Sequence, residues 1–211
     1  MDFTYRLVNI NEYFDKILYI NMDKDVSRNL GMIQQFEKFG ITNFQRIAGR
    51  DLIDLSKSIS YRNFIKNDEK YIMGQLGCRR AHLNAIKYAK AHGYKRVLIL
   101  EDDIEFLVDP HELLTINQEI LNDWDMLYFG GLIEPFFRNQ IVCAHAYGVS
   151  ENLYDDILEM GEHSGMEIDN FYAKVIQHMS YNHTSIGKYR IRIVQPFNQI
   201  VQNKNYESNI I

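Results

Sequence analysis

Val97, Leu98, Ile99 and Leu100 form an unbroken apolar run between Arg96 and Glu101. A run that is apolar at odd and even positions alike buries both of its faces, which predicts a central, parallel strand rather than an edge. Around it the hydrophobic spacing alternates between strand and helix periods. "KILYINM" (Lys16 to Met22) predicts a short strand bounded by polar residues. From Ser27 to Phe39 the apolar residues Leu30, Ile33, Phe36 and Phe39 recur every third position and predict a helix, with Ser27 as N-cap and Gly40 as its stop. "NFQRIAG" (Asn43 to Gly49) predicts a second strand, and the polar, weakly periodic stretch Ile53 to Lys70 a loop-like excursion.

A longer helix is expected over Gly74 to Ala91, burying Leu83 and Ile86 and ending at Gly93. After the central strand, "VDPHELL" has the grammar of a helix start: Asp109 caps, Pro110 takes the first helical position and Glu112 the third. That gives Asp109 and His111 structural duties. Asp125 to Gly131 and Ala144 to Val149 predict further strands, and Ser150 caps a helix through Glu159. Met166 to Met179 is expected to be helical, and Tyr189 to Pro196 a late strand with one wet face. Strands alternating with helices over residues 1–211 predict one α/β domain with a mostly parallel central sheet flanked by helices.

Composition narrows the classes of function. The 211 residues are 46% hydrophobic and 13% aromatic, enough for a substantial core. A net charge of −5, spread along the chain, argues against nucleic acid or an anionic membrane as partner. The apolar runs are too short for a membrane span, and the N-terminal stretch lacks the basic and apolar regions of a signal peptide. Two cysteines, Cys78 and Cys143, make no disulfide framework, so the setting expected is reducing, cytoplasmic or host-cell cytoplasm-like.

The chemistry concentrates where the central strand ends, at Glu101, Asp102 and Asp103. In open α/β sheets ligands lie beyond the carboxyl ends of the strands, so this charge falls where a ligand sits. Adjacent carboxylates repel one another and resist desolvation, and a divalent cation resolves both difficulties. The plain alternative is an acidic, solvated turn.

The stretch "GQLGCRRAHLNAIKYAKAHGYKRVLILEDDIEF" (Gly74 to Phe106) resembles the core signature of glycosyltransferase family 25, which includes lipooligosaccharide galactosyltransferases and collagen hydroxylysine galactosyltransferases. "ILYINMDKDVSRNLGMIQQFEKFGI", "FQRIAGRD", "AHAYGVSENLYDDIL", "MEIDNF" and "PFNQIVQNKNYESNI" follow in family order. Two departures stand out: Met22-Asp23-Lys24 replaces a Leu-Asp-Arg type of sequence, and Ala81 precedes His82 where Ser is commoner.

The resemblance implies a GT-A-type nucleotide-binding fold and an inverting, metal-dependent hexosyl transfer. The donor would be a UDP-sugar carrying galactose or glucose, the acceptor a hydroxyl of a glycan or of a hydroxylysine-containing protein. It implies Mn²⁺ or Mg²⁺ on Asp103 and Glu101, and donor contacts from Asn21, Arg28, Cys78, His82, Glu101 and Asp102. Asp169 becomes the general base, with Glu167 in reserve; His178 or His183 could add a metal ligand, and Gln199, Gln202 and Ser208 close over the donor.

Two other classes compete. A non-catalytic, glycosyltransferase-like module would bind nucleotide or carbohydrate without turnover, but this chain keeps all three acids, Arg28 and Asp169. A Mg²⁺-dependent phosphohydrolase would release phosphate without sugar transfer. No Gly-x-Gly-x-x-Gly follows any expected strand, which argues against a dinucleotide dehydrogenase.

Overall fold

A computed structural model describes residues 7–49, 69–134, 140–180 and 188–202. Residues 53–68 of the expected excursion, His183 and Ser208 lie outside the described residues. In chain order the elements are α1 (Ile10–Tyr13), β1 (Lys16–Asn21), α2 (Val26–Lys38), β2 (Phe44–Ala48), α3 (Glu69–Ala91) and β3 (Arg96–Glu101). Next come β4 (Ile104–Phe106), α4 (Pro110–Ile116), β5 (Met126–Tyr128), β6 (Leu132–Glu134), β7 (Gln140–Val142), β8 (Ala146–Ser150) and α5 (Glu151–His163). The helix α6 (Ile168–Phe171) runs through a π-helical segment (Tyr172–Gln177) into α7 (His178–Ser180), and β9 (Ile191–Ile193) and β10 (Ile200–Gln202) follow.

Six strands form the main sheet in the order β2-β1-β3-β8-β5-β9. β1 pairs in parallel with both β2 and β3, and β5 with β9; β8 alone runs antiparallel to its neighbours β3 and β5. The sheet is therefore mostly parallel, as its central apolar run predicts. Because the chain passes from β1 to β2 on one side and returns to β3 on the other, the carboxyl ends of β1 and β3 border the crevice where such sheets bind ligands. The antiparallel ribbon of β4 and β10 carries the chain past β3, setting Gln202 opposite Ile104.

β3 shows why both faces had to be apolar. Val97 and Ile99 join one core with Leu18, Tyr147, Val149 and residues of α3 and α5, including Leu83, Ile86, Leu153 and Ile157. Leu98 and Leu100 point to the other face and pack with Ile17, Phe14, Met32, Phe36, Leu113 and Trp124. No described helix is long and apolar enough to cross a membrane.

The helix boundaries shift in ways that geometry explains. α2 is capped at Asp25 rather than Ser27, and it buries Arg28, Met32 and Phe36, leaving Leu30 exposed. A spacing of three drifts off one face of a 3.6-residue helix, whereas positions 28, 32 and 36 stay closer to it. α3 begins at Glu69, earlier than Gly74. α5 extends beyond Glu159 to His163, with Ser150 at its N-cap making no side-chain cap bond. The Asp109 cap is as expected, its carboxylate accepting from the His111 N–H at 2.8 Å. The His111 ring bridges α1 and the end of α2, through the Ile10 N–H and the Phe39 carbonyl.

Candidate active site

The tip of β3 divides into an inner and an outer side. On the inner side, Asp102 Oδ1 accepts from Arg28 at 2.9 Å and Oδ2 from Asn21 at 2.7 Å. Asn21 also donates to the Asp25 carbonyl at 3.1 Å and accepts from Arg46 Nε at 2.8 Å. Arg46 ties in the loop by pairing with Asp23. Asn21, Arg28 and Asp102 are all buried. Asn21 and Arg28, both expected donor contacts, thus converge on Asp102, the third. Burial still pushes the Asp102 carboxyl above its ordinary value, against the pull of Asn21 and Arg28.

The outer side is built differently. Asp103 Oδ1 is buried, and among the described residues it has no hydrogen-bond partner. Its other oxygen lies 3.7 Å from Arg28. Burial and the charge of Glu101 push this carboxyl up to about 7, only partly relieved by Arg28. A desolvated carboxylate missing a partner is what a bound cation corrects, so the residue fits its expected role as metal ligand.

Glu101 faces α3. Its Oε1 lies 3.1 Å from His82 Nε2 and 3.4 Å from Cys78 Sγ, and Oε2 accepts from Gln202 at 3.4 Å. Burial raises this carboxyl, but the hydrogen bond and charge of His82, with lesser help from His145 and Cys78, leave it below its ordinary value. The His82 side chain is fully buried beneath Glu101. Its Nδ1 meets the Tyr147 hydroxyl at 3.0 Å, which meets that of Tyr172 at 2.8 Å. Cys78 is half-buried, and burial beside Glu101 and Asp169 raises its thiol well above the usual value.

Asp169 stands in the first turn of α6. Burial first, then the charge of Glu101, raises its carboxyl to about 6, with His82 and the Ala144 backbone N–H opposing. Glu167, the reserve base, is held by Gln75 and Asn170. His178 is exposed and lies nine residues beyond Asp169, past the π-helical segment. Gln199 bonds the Phe197 carbonyl; Gln202 is the described residue of the closing segment that meets the acids.

Tyr147, Tyr172 and His145 escaped the reading of the sequence. His145 is buried, its Nε2 on the Ile200 carbonyl at 3.0 Å and its Nδ1 lacking a partner among the described residues. The one available signal was polar-tipped rings at buried strand and helix positions, as in "AHAYGV" and "NFYAK".

A mostly parallel sheet with a buried carboxylate oxygen left without a partner, among the described residues, just beyond its central strand suits a cation. The family model of glycosyltransferase family 25 (LPS biosynthesis protein) matches residues 14–181, and the chain belongs to that family. It is 30% identical over 129 residues to a "Glycosyltransferase 25 family member" of Drosophila pseudoobscura pseudoobscura, covering 55% of this chain and 20% of that one. The corresponding protein of Aedes aegypti is 29% identical over 128 residues, covering 54% and 21%. The matched region thus spans about a fifth of these relatives' length. Among solved structures, a glycosyltransferase involved in the glycosylation of the major capsid of PBCV-1 aligns with a TM-score of 0.44 at 11% identity, covering 84% of this chain and 79% of the other. That likeness is too distant to inform the site.

Proposed function

We propose that this chain transfers a hexose, galactose or glucose, from a UDP-sugar to a hydroxyl of a glycan or hydroxylysine-type protein acceptor. The observation that carries the reading is Asp103: a half-buried carboxylate just beyond the carboxyl end of the central strand, one of whose oxygens is buried with no partner among the described residues, in a chain of glycosyltransferase family 25.

Asp103, with Glu101 beside it, would hold Mn²⁺ or Mg²⁺. When bound, such a cation neutralises the negative charge that develops on the departing diphosphate. The protein's own part begins with Arg28, Asn21 and Arg46, which fix Asp102 and so the turn that carries Asp103. Asp169 takes the proton from the acceptor hydroxyl as the new bond forms, which is the role an inverting displacement requires. A carboxyl near 6 is mostly ionised at neutral pH and more basic than an ordinary aspartate, a combination that suits a general base.

The test is a UDP-release screen over a panel of UDP-sugars with Mn²⁺, Mg²⁺ or chelator. The reading expects metal-dependent release from one galactose or glucose donor, stimulated by hydroxyl acceptors. Phosphate release without sugar transfer would assign the tip to phosphohydrolysis, and silence toward every donor would favour the non-catalytic module.

A further inference from the structure

Cys78 and His82 lie four residues apart on α3, one helical turn from each other and on one face. Two donor groups at this spacing can grip one metal ion from a single helix, as the paired histidines of zinc-binding helices do. The tip of β3 supplies a third donor from the opposite side. Cys78 Sγ, His82 Nε2 and a carboxylate oxygen of Glu101 all lie within 4.8 Å of one another. Two of the separations are 3.4 Å and 3.1 Å. Four-coordinate zinc, with bonds of 2.0–2.3 Å, sets its donors about 3.3–3.8 Å apart, so the three groups need only small adjustments.

Tyr147 adds a second, independent observation. A histidine ligand almost always has its other ring nitrogen held by a hydrogen bond, which fixes the ring. His82 Nδ1 has such a bond with Tyr147, backed by Tyr172. The tyrosine hydroxyl can donate to Nδ1 or accept from it, so both neutral forms of the ring are accommodated. Access is also present, because the Glu101 side chain is 21% exposed.

We propose that Cys78, His82 and Glu101 form a binding site for a soft, tetrahedral divalent cation of the zinc class. Thiolate and imidazole donors select such an ion, whereas the oxygen of Asp103 suits Mn²⁺ or Mg²⁺. On binding, the Cys78 thiol exchanges its proton for the metal–sulfur bond and the proton leaves to solvent. A neutral His82 turns its Nε2 lone pair to the ion and carries its proton on Nδ1, toward Tyr147. Glu101 supplies the third bond, and a fourth position remains for water.

The experiment titrates Co²⁺ alone into the metal-free chain, with no nucleotide present, so its failure would leave the transferase reading untouched. One sulfur-ligated Co²⁺ per chain is expected, giving a sulfur-to-cobalt charge-transfer band and intense tetrahedral visible bands that Zn²⁺ abolishes, whereas cobalt held by oxygen at Asp103 adds no such band. Cys78→Ser should lose the charge-transfer band and Cys143→Ser should keep it. Tyr147→Phe, which preserves the ring in the core, should weaken binding by about 10–100-fold. A wild-type chain with no charge-transfer band at millimolar Co²⁺ would overturn the site, as would a band that survives Cys78→Ser or disappears in Cys143→Ser.

Discussion

Asp102 and Asp103 are chemically identical neighbours on one strand tip, yet their surroundings are opposites. Asp102 has an arginine on one oxygen and an asparagine on the other; Asp103 has a buried oxygen with no partner among the described residues. The difference teaches how to assign charge at a crevice. Where a protein fills every acceptor position of a buried acid, that acid holds the fold together; where it leaves one empty, the acid is set for something that arrives.

The contrast can be broken at several points. Asp103→Asn should abolish metal-dependent UDP release while leaving urea unfolding of the metal-free chain unchanged or shifted toward higher stability, because a desolvated charge is removed. Loss of fold in this variant would move Asp103 to the structural side. Next in size, Asp169→Asn should lower turnover by about 10²–10⁴-fold with UDP binding retained. In the wild type, turnover should fall as pH drops through about 6, where Asp169 takes up its proton. The same raised value carries a stability sign. The folded chain holds this proton more tightly than the unfolded one, so the contribution is complete below about 4, the ordinary aspartate value, and lost as pH rises through about 6.

On the inner side, Arg28→Met should cost about 3–5 kcal/mol in urea unfolding, since it strands the buried Asp102 charge. A cost below about 1 kcal/mol, the worth of an exposed pair, would show that the pair is not buried in solution. The smallest effect is at the rim: Asp109→Ala removes one helix cap and should cost about 1 kcal/mol by the same measurement.

Legibility in the sequence followed the same division. β3 was readable because a strand buried on both faces must be apolar throughout, and the Asp109 cap because its bond spans two residues. The acids at the tip were readable as a motif, but their separate duties were not. Whether Asp102 or Asp103 is partnered depends on Asn21 and Arg28, more than seventy residues earlier, which no local pattern reveals. The Leu30 stripe failed for a related reason: α2 buries Arg28, Met32 and Phe36, and Arg28 is drawn inward by Asp102, a partner no local pattern reveals. The ring chain from His82 through Tyr147 to Tyr172 likewise exists only once α3, β8 and the π-helical segment after α6 meet.

The most direct measurement is calorimetric titration of UDP into the wild-type chain and into Asp103→Asn, each with and without Mn²⁺. The wild type is expected to bind UDP only with Mn²⁺, and Asp103→Asn under neither condition. Mn²⁺-dependent UDP binding of undiminished strength in Asp103→Asn would contradict this expectation.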